Sequence, residues 1–465
     1  MPEALFLALD QGGHASRALV FDERGRIRAR AERRVEARSP GPDRLEYDAE
    51  ALFSSVLEAA REALEKAPGP VKAAALATQR SNVACWDRET GRPLAPVLGW
   101  QDRRGAALLE PLRPHAAEIH ARSGLFLSPH YGASKLRWCL EHLPAVRAAH
   151  QEGRLAYGPM AAWIAGRLTG RYAGLADPAN AQRTQLLSLD RLDWDPWLLE
   201  HFGVPAEPLP RVVPNRFAYG EALGVPLAVV TGDQQAALFA LGEPQDDLAH
   251  VNAGTGAFVL RPAPGRVRPD RLLVGLLYVE ETPRYALEGT VNGAGAALRF
   301  FAEREGIPEA ALFARLPGWL EAMPASSVVF LNGVGGVGSP YWIAELESRF
   351  LGEGSLAERA VAVVESVVFL LVKNLEAMNA YLPPPRAIRL TGGLARLDGF
   401  AQRLADLTGL PVFRPAEFEA TARGLAFLAG GRKPFEAVPE DRFDPRENPA
   451  LRAAYRRFLS AMPEP

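Results

Sequence analysis

The chain has 465 residues, too many for one hydrophobic core, and this length predicts at least two domains. With 48% hydrophobic residues, 23% charged residues and a net charge of −2, the chain has neither the basic surplus of a nucleic-acid-binding protein nor that of a membrane-surface protein. Its two cysteines, Cys85 and Cys139, have no partners at metal-ligand spacing. This argues against a disulfide framework or a zinc site and favours a reducing cytoplasm.

The first predicted element is a strand–turn–strand hairpin at residues 4–22 (ALFLALDQGGHASRALVFD). Asp10 ends the first strand and a glycine corner follows, so the N–H groups of the corner are candidate anion donors. The opening residues MPEALFLALDQGG lack the basic lead and the apolar length of a signal peptide.

Further elements follow in order along the chain. The pattern predicts a helix at 48–66 with Asp48 as its N-cap, a strand at 71–78, a helix at 161–170, a strand at 226–231, a second glycine-cornered hairpin at 250–260, a buried helix at 361–372, and alternating strands and helices at 387–430. The run at 361–372 (VAVVESVVFLLV) is too short and too interrupted to cross a bilayer. The last thirty-odd residues, rich in proline and charge, predict a surface appendage ending in one short helix.

This alternation predicts the α/β class. Each half opens with a glycine-cornered hairpin, which suggests a duplicated domain with a cleft between the copies and a main boundary near residues 238–248. Glycine-cornered hairpins are common, so the alternative of two unrelated halves stays open.

Asp233 is the first candidate for chemistry. A buried strand ends, Gly232 permits a corner, and Asp233 stands where the next helix begins, so the helix dipole favours its ionised form. One interpretation is a plain N-cap. The other is a general base that faces the cleft at the domain boundary and takes a proton from a hydroxyl.

Glycine corners supply the other candidates. Gly12-Gly13 and Gly254-Thr255-Gly256 would approach a triphosphate from opposite domains, with Asp10 holding Mg²⁺ through water. Gly392-Gly393 would let a ribose or flat ring lie against the backbone, or would be a simple strand-to-helix turn. The GxGxxG match at 333–338 is followed by SPYW rather than a helix, which disfavours a dinucleotide-binding dehydrogenase.

Together these segments resemble the FGGY carbohydrate kinases, and within that family the glycerol kinase branch. The resemblance runs to about residue 430 through DQGGHASRALVFD, TQRSNVACWDRETGRPLAPVLGWQDRR, SPHYGASKLRW, DPANAQRTQLLSLDRLDWD, GDQQAALFALG, NAGTGAFVL, LEGTVNGAGAALRFF, GVGSPYW and TGGLARLDGF. It implies two actin-like (ribonuclease H-like) ATPase domains facing each other across a cleft, at 1–243 and 244–432, with an appendage at 433–465. It also implies transfer of the γ-phosphoryl group of ATP, with Mg²⁺, to a hydroxyl of a small polyol or sugar.

The resemblance also implies roles for single residues. Asp233 matches the catalytic base, and Asp10 and Asp233 match the metal side. The cofactor-binding candidates are Gly12, Gly13, His14, Ser16, Arg17, Gly254, Thr255, Gly256, Gly295, Arg299, Gly392 and Gly393. The acceptor-binding candidates are Arg80, Ser81, Trp100, His130, Tyr131, Asp233 and Gln234.

Two departures from the glycerol kinase pattern bear on activity. Gly13-His14-Ala15 replaces hydroxyl-bearing residues of the first phosphate loop, and losing a hydrogen bond to a charged group costs about 1.5–3 kcal/mol. Ser81 stands where that branch has a glutamate, and His130 where it has a tyrosine. The lost carboxylate makes glycerol a less secure acceptor and leaves room for a larger polyol or a sugar.

A second class of function stays open, a catalytically weakened nucleotide-binding sensor of metabolites with the same fold. Asp10, Asp233 and Thr255 favour the enzyme, because a sensor does not need the base. The expected partners are the acceptor and ATP or ADP, with no nucleic acid and no membrane. The resemblance adds self-association as a homodimer or homotetramer.

Overall fold

The computed structural model describes residues 3–416 and 419–463. Within these residues the chain divides into two compact units. Unit 1 comprises residues 3–244, 275–284 and 419–437, and unit 2 comprises residues 245–274, 285–416 and 438–463.

The strands are β1 (Leu5–Gln11), β2 (Ala15–Phe21), β3 (Ile27–Arg34), β4 (Ala37–Arg38), β5 (Glu46–Tyr47), β6 (Val71–Thr78), β7 (Val83–Asp87), β8 (Val97–Leu98), β9 (Leu155–Pro159), β10 (Leu175–Ala176), β11 (Leu187–Ser188), β12 (Asp193–Trp194), β13 (Arg211–Val212), β14 (Glu221–Ala222), β15 (Val225–Gly232), β16 (Leu248–Ala253), β17 (Ala257–Ala263), β18 (Leu273–Val279), β19 (Pro283–Val291), β20 (Val329–Leu331), β21 (Arg349–Leu351), β22 (Ala387–Thr391), β23 (Val412–Pro415) and β24 (Glu440–Phe443).

The α-helices are α1 (Ala49–Glu65), α2 (Ala116–Ser123), α3 (Gly132–His142), α4 (Pro144–Gln151), α5 (Met160–Thr169), α6 (Pro178–Gln182), α7 (Pro196–Phe202), α8 (Asp233–Leu238), α9 (Gly295–Arg304), α10 (Glu309–Ala322), α11 (Leu356–Met378), α12 (Asp398–Thr408), α13 (Ala420–Ala429) and α14 (Pro449–Ala461). Two 3₁₀ helices span Ala106–His115 and Gly393–Arg396.

Unit 1 is built on a six-stranded sheet in the order β14-β15-β6-β1-β2-β3. The three central strands β15, β6 and β1 are parallel, and β1 is buried along its whole length, as expected for a strand covered on both faces. Helix α1 packs on β2 and β3, and helix α13 packs on β1 and β6. A second, five-stranded sheet in the order β4-β5-β8-β7-β9 carries helix α3 beside it.

Several predicted elements of unit 1 are confirmed. The first hairpin is β1 and β2, and the strand predicted at 71–78 is β6. Helix α1 begins after Asp48, whose Oδ1 accepts a hydrogen bond of 2.9 Å from the N–H of Ala51, so Asp48 is the N-cap. Helix α5 ends at Gly170, which adopts a left-handed conformation with φ of 72°.

Unit 2 is built on a sheet in which β19, β17, β16, β22, β23 and β24 are neighbours in that order. The predicted apolar helix is the 23-residue α11, which begins with a capping box of Ser355 and Glu358. Its buried Glu365 lies 3.1 Å from the guanidinium of Arg403 and accepts the N–H of Ser326, which explains a carboxylate inside an apolar run. Among the described helices, none combines the length and hydropathy that a bilayer-crossing segment needs.

The C-terminal segment differs from the predicted appendage. Strand β24 pairs with β23 and extends the sheet of unit 2, and the predicted last helix is α14. Leu451, Ala454 and Phe458 of α14 are fully buried, and the ring of Phe458 lies 5.4 Å from that of Phe369 in α11. The apolar spacing in ALRAAYRRFL contained this signal, but the surrounding proline and charge obscured it.

Helix α13 also departs from the predicted ranges, because it belongs to unit 1 rather than to the C-terminal unit. It packs on α8, the helix that begins with Asp233. A Cβ added at Gly424 of α13 would lie 1.8 Å from the carbonyl oxygen of Ala236. Only glycine therefore permits the close approach of these two helices.

We expect Gly424→Ala to lower the free energy of unfolding by roughly 2–3 kcal/mol or more, because the contact is with backbone and forces α13 away from α8. The matched control is Gly318→Ala, in the exposed part of α10, where nothing lies within 4 Å of an added Cβ. That change should raise stability by about 0.5–1 kcal/mol. Urea unfolding followed by fluorescence distinguishes the two, and equal stability of both variants would contradict the packing argument.

Candidate active site

The candidate site of unit 1 lies where its parallel strands end. Asp10 of β1 and Thr231 of β15 both pair with Ala77 of β6, from opposite sides. Because parallel strands present their carboxyl ends at one edge of a sheet, Asp10 and the residue two places after Thr231, Asp233, are brought to the same edge. The sheet thus joins two carboxylates that are more than two hundred residues apart in the sequence.

Asp233 is the first residue of α8, and Gly232 is the N-cap residue. Its Oδ1 accepts the N–H of Gln234 at 2.8 Å, and the residue is partly buried. Burial raises the pKa of Asp233, while the charges of Arg80 and Arg183 and the N–H of Gln234 oppose that rise. The net direction of the pKa shift is upward, because burial outweighs these opposing groups.

Asp10 is buried, with 8% of its surface exposed. Burial, and then the negative charge of Asp233, raise its pKa to about 7, against the opposing charge of Arg17. Glu419, which lies just before α13, adds a smaller rise. The charges of the two aspartates therefore interact, as those of paired carboxylates at functional sites do.

This pair fits a divalent cation, because the positive charge of a cation held by one or both carboxylates would offset their repulsion and favour their ionised forms. Among residues 3–416 and 419–463, no cluster of three or more histidine, cysteine, aspartate or glutamate side chains is close enough to hold a metal. The protein would thus supply one or two carboxylates, and water and phosphate oxygens would complete the shell, which is the usual manner of Mg²⁺ binding.

The hairpin between β1 and β2 contains five of the predicted phosphate residues. The N–H of Gly12 donates to the carbonyl of Ala15 at 2.9 Å, so it serves the turn. An added Cβ on Gly13 would lie 2.8 Å from Nε2 of Gln79. The side chain of His14 is exposed, and Arg17 forms an ion pair of 3.0 Å with Glu32.

Ser16 requires a correction. It is 1% exposed, and its hydroxyl lies 2.8 Å from that of Ser55 in α1. The alternation of β2 turns this side chain into the interior of unit 1, so its hydroxyl cannot be a phosphate ligand.

The predicted acceptor residues are linked to one another in unit 1. The guanidinium of Arg80 donates to Oε1 of Gln234, next to Asp233. The N–H of Trp100 donates to Oδ1 of Asn82 at 2.7 Å, and Nδ1 of His130 lies 3.2 Å from the carbonyl of Trp100.

The two aromatic rings of this group are close, with ring centroids of Trp100 and His130 6.0 Å apart. Trp100 is 40% exposed, so an apolar surface is open to solvent. Burial lowers the pKa of His130, which favours its neutral form. Tyr131 follows at the N-terminus of α3, and Ser81 adopts a left-handed conformation with φ of 65°.

The remaining nucleotide candidates lie in unit 2, where parallel strands β16 and β22 end together with Asn252 opposite Thr391. Gly392 has φ of 95°, and a Cβ there would lie 2.5 Å from the carbonyl oxygen of Ala253. The N–H of Gly295 donates to the carbonyl of Gly254 at 2.9 Å. The structure thus brings three distant glycine segments to one edge of the sheet.

The other members of this group differ in exposure. Thr255 is exposed, and its carbonyl accepts the N–H groups of Ala294 and Ala296 at the start of α9. Gly256 closes the turn by accepting the N–H of Gly254 at 2.8 Å. Gly393 has nothing within 4 Å of an added Cβ, and Arg299 lies half-buried on α9.

The GxGxxG segment at 333–338 does not open a helix. Val337 instead pairs with Ile343 in a β-bridge, and the next regular elements are β21 and then α11. This local structure agrees with the rejection of a dinucleotide fingerprint.

Sequence reasoning missed three residues near the candidate site. Arg183 is 4% exposed and lowers the pKa of Asp233, and Glu419 raises that of Asp10. Asn82 anchors Trp100. Arg183 and Asn82 lie in the quoted family segments, but only the folded chain brings Arg183 and Glu419 to the carboxylates.

The buried carboxyl of Asp10 predicts a pH dependence of stability. Its pKa of about 7 exceeds the ordinary 3.8, so the protonated form favours folding. That contribution is complete below about pH 4 and is lost as pH rises through about 7, amounting to about 4 kcal/mol at most. In Mg²⁺-free buffer Asp10→Asn should therefore gain stability relative to the unsubstituted chain between pH 4 and 8.

Urea unfolding at each pH measures this difference. Asp43→Asn, at an exposed carboxylate in the same unit, is the control and should show no such gain. Parallel stability curves for Asp10→Asn and the unsubstituted chain would count against the buried-pair geometry.

Known proteins resemble this chain over nearly its full length. The family models for the N-terminal and C-terminal domains of the FGGY family of carbohydrate kinases match residues 5–240 and 249–431. A glycerol kinase of Thermus brockianus is 37% identical over 98% of this chain and 94% of its own. A glycerol kinase of Trichlorobacter lovleyi is 37% identical over 92% of this chain and 90% of its own.

Solved structures share the fold. Plasmodium falciparum glycerol kinase with ADP has a TM-score of 0.88 at 21% identity and covers 99% of both chains. Xylulose kinase of Rhodospirillum rubrum has a TM-score of 0.86 at 20% identity and covers 98% of both chains. The predictions of a two-domain α/β kinase fold and of an ATP-dependent carbohydrate kinase are confirmed at this level. With both family models matched in order along it, the chain belongs to the FGGY family of carbohydrate kinases.

Proposed function

We propose that this kinase transfers the γ-phosphoryl group of ATP to a hydroxyl of a small polyol or sugar, with Asp233 as general base. The observation that supports this best is the pair of Asp10 and Asp233 at one sheet edge, where Asp233 raises the pKa of Asp10. Arg80 is bonded to Gln234, which adjoins Asp233 in the chain, so these two acceptor candidates lie beside the proposed base.

The environment of Asp233 suits a base. Burial raises its pKa, which strengthens its affinity for a proton, while Arg80 and Arg183 limit the rise. Since Oδ1 already accepts the N–H of Gln234, we assign the acceptor proton to Oδ2. The hydroxyl oxygen, losing this proton, attacks the γ-phosphorus of ATP. The bond from that phosphorus to the bridging oxygen breaks, and ADP leaves with this oxygen.

The nucleotide contacts are assigned to glycine backbones and a few side chains. Mg²⁺, when bound, neutralises charge on the phosphate oxygens, and Asp10, with Asp233, would hold it. The residues proposed for the nucleotide are Gly12, Gly13, His14, Arg17, Gly254, Thr255, Gly256, Gly295, Arg299, Gly392 and Gly393. At Gly392 the left-handed backbone admits only glycine without strain, which lets this turn pack against the backbone of Ala253.

The acceptor is proposed to be glycerol-like or larger. Arg80 and Gln234 offer polar contacts, and the exposed face of Trp100 offers an apolar surface for the carbon chain. Ser81, which has a shorter side chain than glutamate and a left-handed backbone, is the position at which we propose that a larger acceptor is admitted. Beside it, Tyr131 and the neutral ring of His130 complete the proposed acceptor set.

Asp233→Asn should still bind ATP but show no acceptor-dependent ADP release, because the amide cannot take the proton. Calorimetry measures nucleotide binding, and a coupled assay measures ADP. Glu309→Gln, which also alters a carboxylate at the first residue of a helix, is the control and should keep full activity. Near-normal turnover by Asp233→Asn would refute the base assignment.

The same assay over a panel of polyols and sugars separates the enzyme from the sensor. The altered Gly13-His14-Ala15 corner motivates the sensor alternative. A kinase releases ADP with at least one acceptor. A sensor binds a ligand and ATP but releases no ADP that depends on the ligand.

Ser81→Glu should shift specificity toward glycerol. The new carboxylate would follow Arg80 in the chain and accept a hydrogen bond from a hydroxyl of a short polyol. We expect kcat/KM for the best larger acceptor, relative to glycerol, to fall at least about 10-fold. Ser81→Gln, of the same length but neutral, controls for size. An unchanged ratio in both variants would show that position 81 does not select the acceptor.

A further inference from the structure

Lys135 is a lysine buried inside unit 1. It lies in the first turn of α3 and has no exposed surface. Lysine is almost never fully buried without partners for its ammonium group. Its Nζ donates to three backbone carbonyls, those of Gly99 at 2.7 Å, His130 at 2.9 Å and Ser81 at 3.2 Å.

These carbonyls belong to three separate segments of the chain. One is the turn that carries Arg80 and Ser81, one immediately precedes Trp100, and one is His130 itself. Each segment contributes a proposed acceptor residue. A single ammonium group therefore joins the backbone of the three segments that form the acceptor side.

The hydrogen-bond donors of Lys135 and the carbonyl acceptors around it match in number. An ammonium group has three N–H donors and no acceptor, so three carbonyls satisfy it completely. Burial lowers the pKa of Lys135 to about 7, while Asp102 opposes and Arg104 adds to that effect. Ser81 is held with φ of 65°, a conformation that serine rarely adopts and that its surroundings must maintain.

We propose that Lys135 is a positioning residue for the acceptor, setting the relative placement of the Arg80–Ser81 turn, Trp100 and His130 through these three carbonyls. The proposal rests on the function proposed above. It predicts that loss of Lys135 loosens acceptor binding and leaves nucleotide binding intact, because none of the three carbonyls that Lys135 bonds belongs to a proposed nucleotide residue.

The principal variant is Lys135→Met, which keeps the length of the side chain and removes all three donors. We expect KM for the acceptor to rise roughly 10- to 100-fold, since small misplacements of binding groups cost this much. KM for ATP should stay within about twofold. Cys139→Ala, at a buried residue one turn further along α3, is the control for a purely structural loss and should leave KM for the acceptor unchanged.

Hydrogen exchange provides a readout that does not depend on turnover. In Lys135→Met, peptides covering residues 79–82, 98–101 and 128–131 should exchange faster together, while those in the six-stranded sheet keep their rates. Lys135→Arg retains a cation with several donors. Its KM for the acceptor should therefore rise less above that of the unsubstituted chain than the KM of Lys135→Met does.

The possible failures are distinguishable. If the unsubstituted chain shows no acceptor-dependent ADP release with any compound, the proposed function fails. The positioning role is overturned by a different result. In that result the unsubstituted chain phosphorylates an acceptor, and Lys135→Met lowers kcat only in proportion to its folded fraction while KM for the acceptor stays unchanged. Failure of both Lys135→Met and Lys135→Arg to fold would also overturn it, since Lys135 would then act in stability alone.

Discussion

The central constraint in this protein is electrostatic: two carboxylates, Asp10 and Asp233, are held where the parallel strands of one sheet end, despite their repulsion. The pairing of β1, β6 and β15 fixes this arrangement, since Asp10 and Thr231 flank the same residue of β6. Burial and proximity raise the pKa of Asp10 to about 7. A site of this kind is costly for an isolated protein but is suited to a cation and to proton transfer.

Close backbone approaches maintain the elements around this pair. Gly424 lets α13 meet α8 directly, and so supports the helix that presents Asp233. In unit 2, Gly295 and Gly392 bring separate turns against the hairpin that contains Thr255. Glycine serves the two units in related ways, because in each it removes a Cβ where backbone must contact backbone.

A different interaction joins the segments of the proposed acceptor side, the bonding of backbone carbonyls by a buried ammonium group. Asn82 and Lys135 both connect segments that are far apart in sequence, one through Trp100 and one through three carbonyls. Such a network fixes side chains more closely than surface loops alone would allow. Under the proposed function, Ser81 is the position beside this network that selects the acceptor.

The sequence alone determined the α/β class, the two glycine hairpins, helix α1 with its Asp48 cap, the buried helix α11 and the family, because these depend on local periodicity and on motifs that lie in order along the chain. It also singled out Asp10 and Asp233. Only the tertiary structure decided that Ser16 faces inward, that β24 and α14 complete unit 2, that α13 belongs to unit 1 and that Arg183 and Glu419 act on the two aspartates. Those outcomes depend on contacts between residues distant in sequence, where burial and long-range charge outweigh any local pattern.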